Sequence, residues 1–438
     1  MGKIIAIVLA ISVFLGFAFW KFSPAFEGKS QTGPITLTLW GLWDDDSFVK
    51  SAIDSYEKAH PNITVNYTHQ PSINYRTRVQ TQISSGQGPD IFEIHNSWLP
   101  MFLQTSYISP MPDTVETFDD YTKAFYPIVT DSFTKNKRIF AIPFSIDGLA
   151  LYYNEDILKA AGVNPPIYWS DFIDSAVKMT VKDSAGNIQT AGAALGATNN
   201  VDYWSDILGL LFAQQPGVSF EHPDSQLGAD VLTFYTSFII DPRRKTWDVT
   251  LENSTQAFSE GKLAYYFAPS SQVNSMKQKN PSLNFKVIPV PQLPSHDSVG
   301  WGDFWGLSVS ANSQYPTEAW NFLKFLTSAE EEKSLYQEDL PGKLIGQPYS
   351  RAELQNELLS DPFAGAFVAQ GPYYKSWYLS SDTADAGIND QMVNLFQGAV
   401  NSVIQQNVPP QSALSAIVPQ IQSTLVTFTQ PPAPPSPN

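Results

Sequence analysis

Acidic, amide and indole side chains fall together where this chain leaves a strand. Residues 84–98 end a helical run at Gly86 and Gly88, which can adopt the positive φ that terminates a helix. Pro89 blocks continuation, and residues 91–94 (Ile-Phe-Glu-Ile) read as a buried parallel strand. Glu93, His95, Asn96 and Trp98 then sit at the carboxyl end, where open α/β sheets place their ligands. This strand tip carries hydrogen-bonding groups beside a flat aromatic face. An ordinary helix-to-strand turn with polar loop residues has the same composition.

The same design recurs. Asp44 opens the run Asp44-Asp45-Asp46 after a strand, and the run as a whole reads equally as a solvated loop. Asp147 lies among apolar neighbours and needs partners, from a ligand or from a hinge. The segment 300–305 (Gly-Trp-Gly-Asp-Phe-Trp) lets the backbone turn tightly beside two large rings and carries Trp301, Asp303 and Trp305. Arg243-Arg244-Lys245, after Asp241-Pro242, reads as a solvated turn.

Alternating elements position these groups. Residues 35–40 alternate as a strand, and Ser47 is placed to cap a helix presenting Val49, Ala52, Ile53, Tyr56 and Ala59. Ile63, Val65 and Tyr67 mark the next strand, and residues 75–83 the next helix. Strands are predicted at 138–144 and 149–153, separated by the break 145–148 where the chain would cross between lobes. Helices follow at 169–179, 203–212, 229–240 and 255–260, and strands at 262–267, 285–290 and 304–310. Pro316 introduces a helix with Ala319, Phe322, Leu323 and Leu326 inward. This order predicts an α/β fold with helices on mostly parallel sheets, completed by a helical C-terminal third.

Composition narrows the chemistry. A chain of 438 residues exceeds one compact core, so two lobes are expected. With 42 acidic against 26 basic residues, a formal charge of −16, and no basic stripe, nucleic acid is not an expected partner. The absence of cysteine excludes disulfides, thiolate metal sites, cysteine nucleophiles and a lipidated N-terminal cysteine. Five scattered histidines lack ligand spacing, and no metal or cofactor is expected. The 11 Trp, 19 Tyr and 28 Phe fill large cores or line a stacking cleft.

The ends are of different character. Ile4 to Trp20 is apolar apart from Ser12 and lies between Lys3 and Lys21. That length falls at the short end of the roughly 17–25 residues that span a bilayer. Residues 1–22 are therefore expected to be a transmembrane anchor, with a cleaved signal ending near Ser23-Pro24-Ala25 as the competing reading. Either way the body is extracytoplasmic, periplasmic or extracellular. Residues 23–34 read as a tether, and 429–438 as a Pro-rich, disordered tail.

In this order the motifs resemble the extracellular solute-binding proteins of ABC importers, in the carbohydrate-binding group that includes maltodextrin-binding proteins. The matching pieces run over 38–44, 52–65, 88–92, 149–158, 257–264 and 318–326. The resemblance implies a periplasmic-binding-protein-like fold: two α/β lobes, a hinge crossed more than once, and a ligand cleft that closes before docking on a permease. Closure of this kind is a population shift, because the ligand touches both lobes only when they are shut. The lobes are expected at 35–145 with 300–348, and at 146–299 with 349–428.

Carried across by resemblance, Asp44 and Asp147 are sugar-contacting acids, residues 93–98 a polar and aromatic cleft segment, and Tyr203 and Trp204 an aromatic stretch of the second lobe. Carboxylates suit paired hydroxyls because they accept charge-assisted hydrogen bonds. Two departures set maltodextrin itself apart: Ser270 stands where a stacking Trp is expected, and another Trp is missing near Ile388-Asn389. Trp43, Trp301, Trp305, Tyr373 and Trp377 are placed to rebuild the aromatic surface. The expected protein is a monomeric, membrane-anchored binder of a sugar or oligosaccharide that delivers it to ABC permease subunits and performs no chemistry. A phosphorylated polyol is the alternative ligand class. A secreted glycoside hydrolase, with carboxylates flanking a glycosidic bond, is the enzymatic alternative. A sensor or adhesin on the same fold is the third.

Overall fold

β1 (Ile35–Gly41), β2 (Ile63–His69), β3 (Ile91–His95) and β4 (Ile108–Ser109) build most of one sheet. In β1 the alternating residues Ile35, Leu37 and Leu39 are buried, whereas all five residues of β3 are covered on both faces. The computed structural model describes residues 33–380, 383 and 387–429. The expected anchor, most of the tether and all but the first residue of the tail lie outside these. Among the described residues no helix is long and apolar enough to cross a membrane.

A hairpin of β5 (Thr134–Lys135) and β6 (Arg138–Ile139) follows, then the second sheet: β7 (Ala150–Asn154), β8 (Val181–Lys182), β9 (Ile188–Ala193), β10 (Leu263–Ala268) and β11 (Phe285–Ile288). After β12 (Gly300–Trp301) the chain returns as β13 (Trp305–Ser310), and β14 (Tyr374–Lys375) pairs with β12. The first sheet has the order β2-β1-β3-β13-β4 and the second β11-β7-β10-β9-β8.

These sheets are mixed, not mostly parallel. β1 runs parallel to β3 with Leu39 opposite Ile91, yet β13 lies antiparallel to both β3 and β4. In the second sheet β7 is antiparallel to β10 and β11, and only β9 and β10 are recorded as parallel. The cause is topological. A strand arriving from the other lobe is free of the short right-handed crossover that forces parallel neighbours, and β13 arrives that way.

Local boundaries follow their residues. The helix Asp46–Ala59 buries Val49, Ala52, Ile53 and Tyr56 on one stripe, as its spacing predicts. Asp45, not Ser47, holds the position before it, and its side chain makes no capping bond. Gly86 takes φ +75° after the helix Tyr75–Ser84, but Gly88 serves a different purpose. A Cβ there would lie 2.6 Å from Ile83 Cγ1 and 2.9 Å from its backbone, so Gly88 lets strand and helix approach.

Three segments cross between the sheets and bond to one another. Gly148 bridges Gly302, Ser145 bridges Tyr349, and Ile146 N donates to Pro348 O at 2.9 Å. Leu149 N donates to Trp301 O at 2.9 Å, and Asp303 N to Asp147 O at 3.0 Å. At the C-terminus the helix Ile388–Gln406 packs on Gln226–Ile240, while Pro410–Thr429 touches both that helix and Leu99–Thr105.

Candidate functional site

Between the sheets, bounded by the crossings, lies a cleft of about 500 Å³, a size typical of small-molecule sites, which run on the order of 300–1,000 Å³. Of the residues singled out by sequence, Trp43, Asp44, Glu93, Asp147, Tyr203, Ser270, Asp303 and Trp305 line it. Each comes from a strand or the bend just after one, a crossing or the start of a helix, so the backbone fixes it more firmly than a long loop would.

Asp44 follows β1. Tyr67 on β2 donates its hydroxyl to the Asp44 carbonyl, and Gly41 makes this reach feasible, since a Cβ there would fall 2.0 Å from the Tyr67 hydroxyl oxygen. The Asp44 carboxyl accepts from Gln347 Nε2 at 2.6 Å. Burial pushes it up to about 6, with the Asp339 and Asp45 charges adding, while Gln347 and Lys343 oppose. Glu93 is 4% exposed and accepts from Leu42 N at 3.0 Å through Oε1. Burial, reinforced by the Asp44 charge, raises its carboxyl to about 8 against the Leu42 bond.

These shifts fix a pH dependence. Both groups titrate higher in the folded chain than at the ordinary 3.8 and 4.5, so the folded state binds more protons across that window. Stability therefore falls as pH rises from about 4 to about 8. The melting temperature of the ligand-free protein is expected to drop over this range, and Glu93→Gln to flatten the part above about pH 6. A Glu93→Gln profile as steep as the wild type would contradict the assignment.

Asp147 accepts from Ser270 N at 2.9 Å, Ser270 Oγ at 2.7 Å and Gly148 N at 2.7 Å. It therefore ties the first crossing to the start of the helix Ser271–Lys279. Burial lifts its carboxyl to about 7, the Ser270 and Gly148 bonds oppose, and the Asp303 charge adds. Asp303 behaves oppositely. Burial pushes it up, but the His95 charge and hydrogen bonding with His95, Ser380 and Asp206 hold it below its ordinary value. The His95 ring is fully buried, with Nε2 on Asp303 and Nδ1 on Ser97 Oγ at 2.7 Å.

One wall is aromatic. Trp43, 45% exposed, meets Trp305 edge-on at 5.6 Å. Trp305 in turn rests on Trp98 at 4.9 Å and His95 at 5.2 Å. Trp98 itself is fully buried beneath this wall. Trp301 is also fully buried, donating from Nε1 to Asp206 at 3.2 Å, and Trp204 is packed in the second lobe. Asn96 and Trp377 line a separate groove of about 630 Å³ that shares no lining residue with the cleft. Trp377 stacks on Phe220 at 4.8 Å, and half-buried Tyr373 lines neither space.

Gln347, Asn274, Lys343 and Asp339 are among the cleft residues that escape a reading by motif. Asn274 grips the third crossing, donating to Ile345 O at 2.9 Å and accepting from Leu344 N at 2.8 Å. The Gly- and Pro-rich stretch 341–348 was the available signal, but it marks only a turn.

Residues 40–333 match the family of bacterial extracellular solute-binding proteins. The chain belongs to that family. A binding-protein relative from Brucella abortus is 24% identical over 62% of this chain, and the match spans only 66% of that relative's length. The multiple sugar-binding protein of Streptococcus mutans is 23% identical over 67% of this chain and 71% of its own. Among solved structures, a cyclo/maltodextrin-binding protein complexed with maltotetraose superposes with a TM-score of 0.73. It is 19% identical and covers 92% of this chain and 100% of its own. That solved structure thus shares the two-lobe α/β architecture found here.

Proposed function

We propose that this protein captures a sugar or oligosaccharide in the interlobe cleft by closing its lobes on it, and delivers it unchanged to an ABC-type permease. The observation carrying this reading is a cleft lined from both sheets and bounded by three hydrogen-bonded crossings, with carboxyls facing an exposed indole. Asp44 and Glu93 would accept from hydroxyls, while Trp43 and Trp305 would cover the ring's C–H face. Asp147, Tyr203, Ser270 and Asp303 would complete the wall from the hinge and second lobe. The sugars named for the relatives support the ligand class.

On this reading residues 35–145 with 300–348 and 146–299 with 349–428 are the moving lobes, and residues 1–22 the membrane anchor. The test is a thermal-shift screen of the body from Gln31 against sugars, polyols, amino acids and phosphates, with product analysis of each hit. A sugar-specific rise in melting temperature with the sugar recovered intact is the expected result. Cleavage of that sugar would establish the hydrolase instead, and a rise restricted to phosphates or amino acids would replace the ligand class.

A further inference from the structure

The charge inside the cleft is one-sided. Asp44, Glu93, Asp147, Asp303 and Asp339 line it, and Lys343 is the one basic side chain among the lining residues. That lysine is already paired with Asp339. Asp303 is engaged by His95, and Asp147 by Ser270 and Gly148. Asp44 and Glu93 remain. Each uses one carboxyl oxygen, Oδ1 toward Gln347 and Oε1 toward the Leu42 amide. The second oxygen of each has no hydrogen-bond partner among the described residues, although Glu93 is 4% exposed.

Two half-satisfied acids that feel each other's charge call for a donor that also supplies positive charge. A neutral hydroxyl supplies the first but no counter-charge, so burial and mutual repulsion keep protons on these carboxyls. A metal ion would supply the second, but among the described residues no three His, Asp or Glu side chains are grouped to hold one. An ammonium supplies both: it carries three N–H donors, makes charge-assisted bonds, and tolerates the faces of Trp43 and Trp305 nearby.

We propose that the cleft selects an amino saccharide, a sugar carrying a protonated amine, seated with its ammonium against the free carboxyl oxygens of Asp44 and Glu93. This rests on the reading of the cleft as a sugar site and narrows it to one chemical class.

Calorimetric titration of matched pairs tests it on the whole body of the protein. The pairs are glucosamine with glucose, galactosamine with galactose, mannosamine with mannose, and chitosan disaccharide with cellobiose and with N,N′-diacetylchitobiose. In the pair that binds tightest, the amine is expected to bind about tenfold or more tightly than its neutral twin. That ratio is expected to fall below about threefold in Glu93→Gln and in Asp44→Asn, each checked for folding by its melting temperature. A neutral or N-acetylated sugar binding as well as its amine overturns the proposal and leaves the sugar-site reading intact. An amine preference unchanged in both variants overturns it too, because the ammonium then sits elsewhere. Failure of every sugar, with hits only among phosphates or amino acids in the wider screen, removes the sugar-site reading and the proposal with it.

Discussion

Trp305→Ala is expected to weaken binding of the cognate ligand about hundredfold, roughly 2.7 kcal/mol. The ring occupies the middle of the aromatic wall, with Trp43 edge-on at 5.6 Å on the cleft side and Trp98 at 4.9 Å beneath. Its removal takes away a stacking face and also the support that orients Trp43. Trp43→Ala, which deletes a 45% exposed ring without undermining its neighbour, is expected to cost less, about tenfold. Titration of the ligand found by the screen reads both effects. Wild-type affinity in Trp305→Ala would mean that the ligand does not rest on this wall.

Gly148→Ala is expected to destabilise the fold by about 3 kcal/mol. A Cβ at this position would lie 2.1 Å from the Trp301 carbonyl oxygen and 3.0 Å from Gly302 Cα, both backbone atoms of the adjoining crossing. Neither atom can rotate away, so the two crossings must separate, and with them the bridge between Gly148 and Gly302. Gly398→Ala is the control. It lies exposed in the helix Ile388–Gln406 with nothing within 4 Å of an added Cβ. There the same change is expected to stabilise by roughly 0.5–1 kcal/mol. Chemical denaturation of both variants measures the contrast, and equal stabilities would refute the tight apposition at the hinge.

Much of the architecture is legible in local pattern. Alternation gives β1, the i, i+3, i+4 spacing gives the helix Asp46–Ala59, and the Gly-Gln-Gly-Pro turn gives the entry to β3. Cleft residues in or just after these strands, such as Glu93 and Asp44, are legible for the same reason. Direction within a sheet is not. That β13 runs antiparallel to β3 depends on a pairing between segments about two hundred residues apart in sequence, which no local window contains. Nor does an indole announce its surroundings: Trp98 and Trp301 are fully buried while Trp43 stands in the cleft. Gln347 and Asn274 reach the cleft only because the third crossing folds against the helix Ser271–Lys279. Contacts that distant leave no spacing to read.

The central claim is that a sugar drives the two lobes together and leaves unchanged. The absence of cysteine from the chain makes a direct measurement clean. Lys58→Cys on the helix Asp46–Ala59 and Lys178→Cys on Trp169–Met179 place one exposed dye site on each lobe. Energy transfer between the two dyes is then followed as the sugar found by the screen is added. The dyes are expected to draw together over the same concentration range in which calorimetry shows binding, and to return when the intact sugar is dialysed away. A separation that stays constant while the sugar binds would contradict capture by closure.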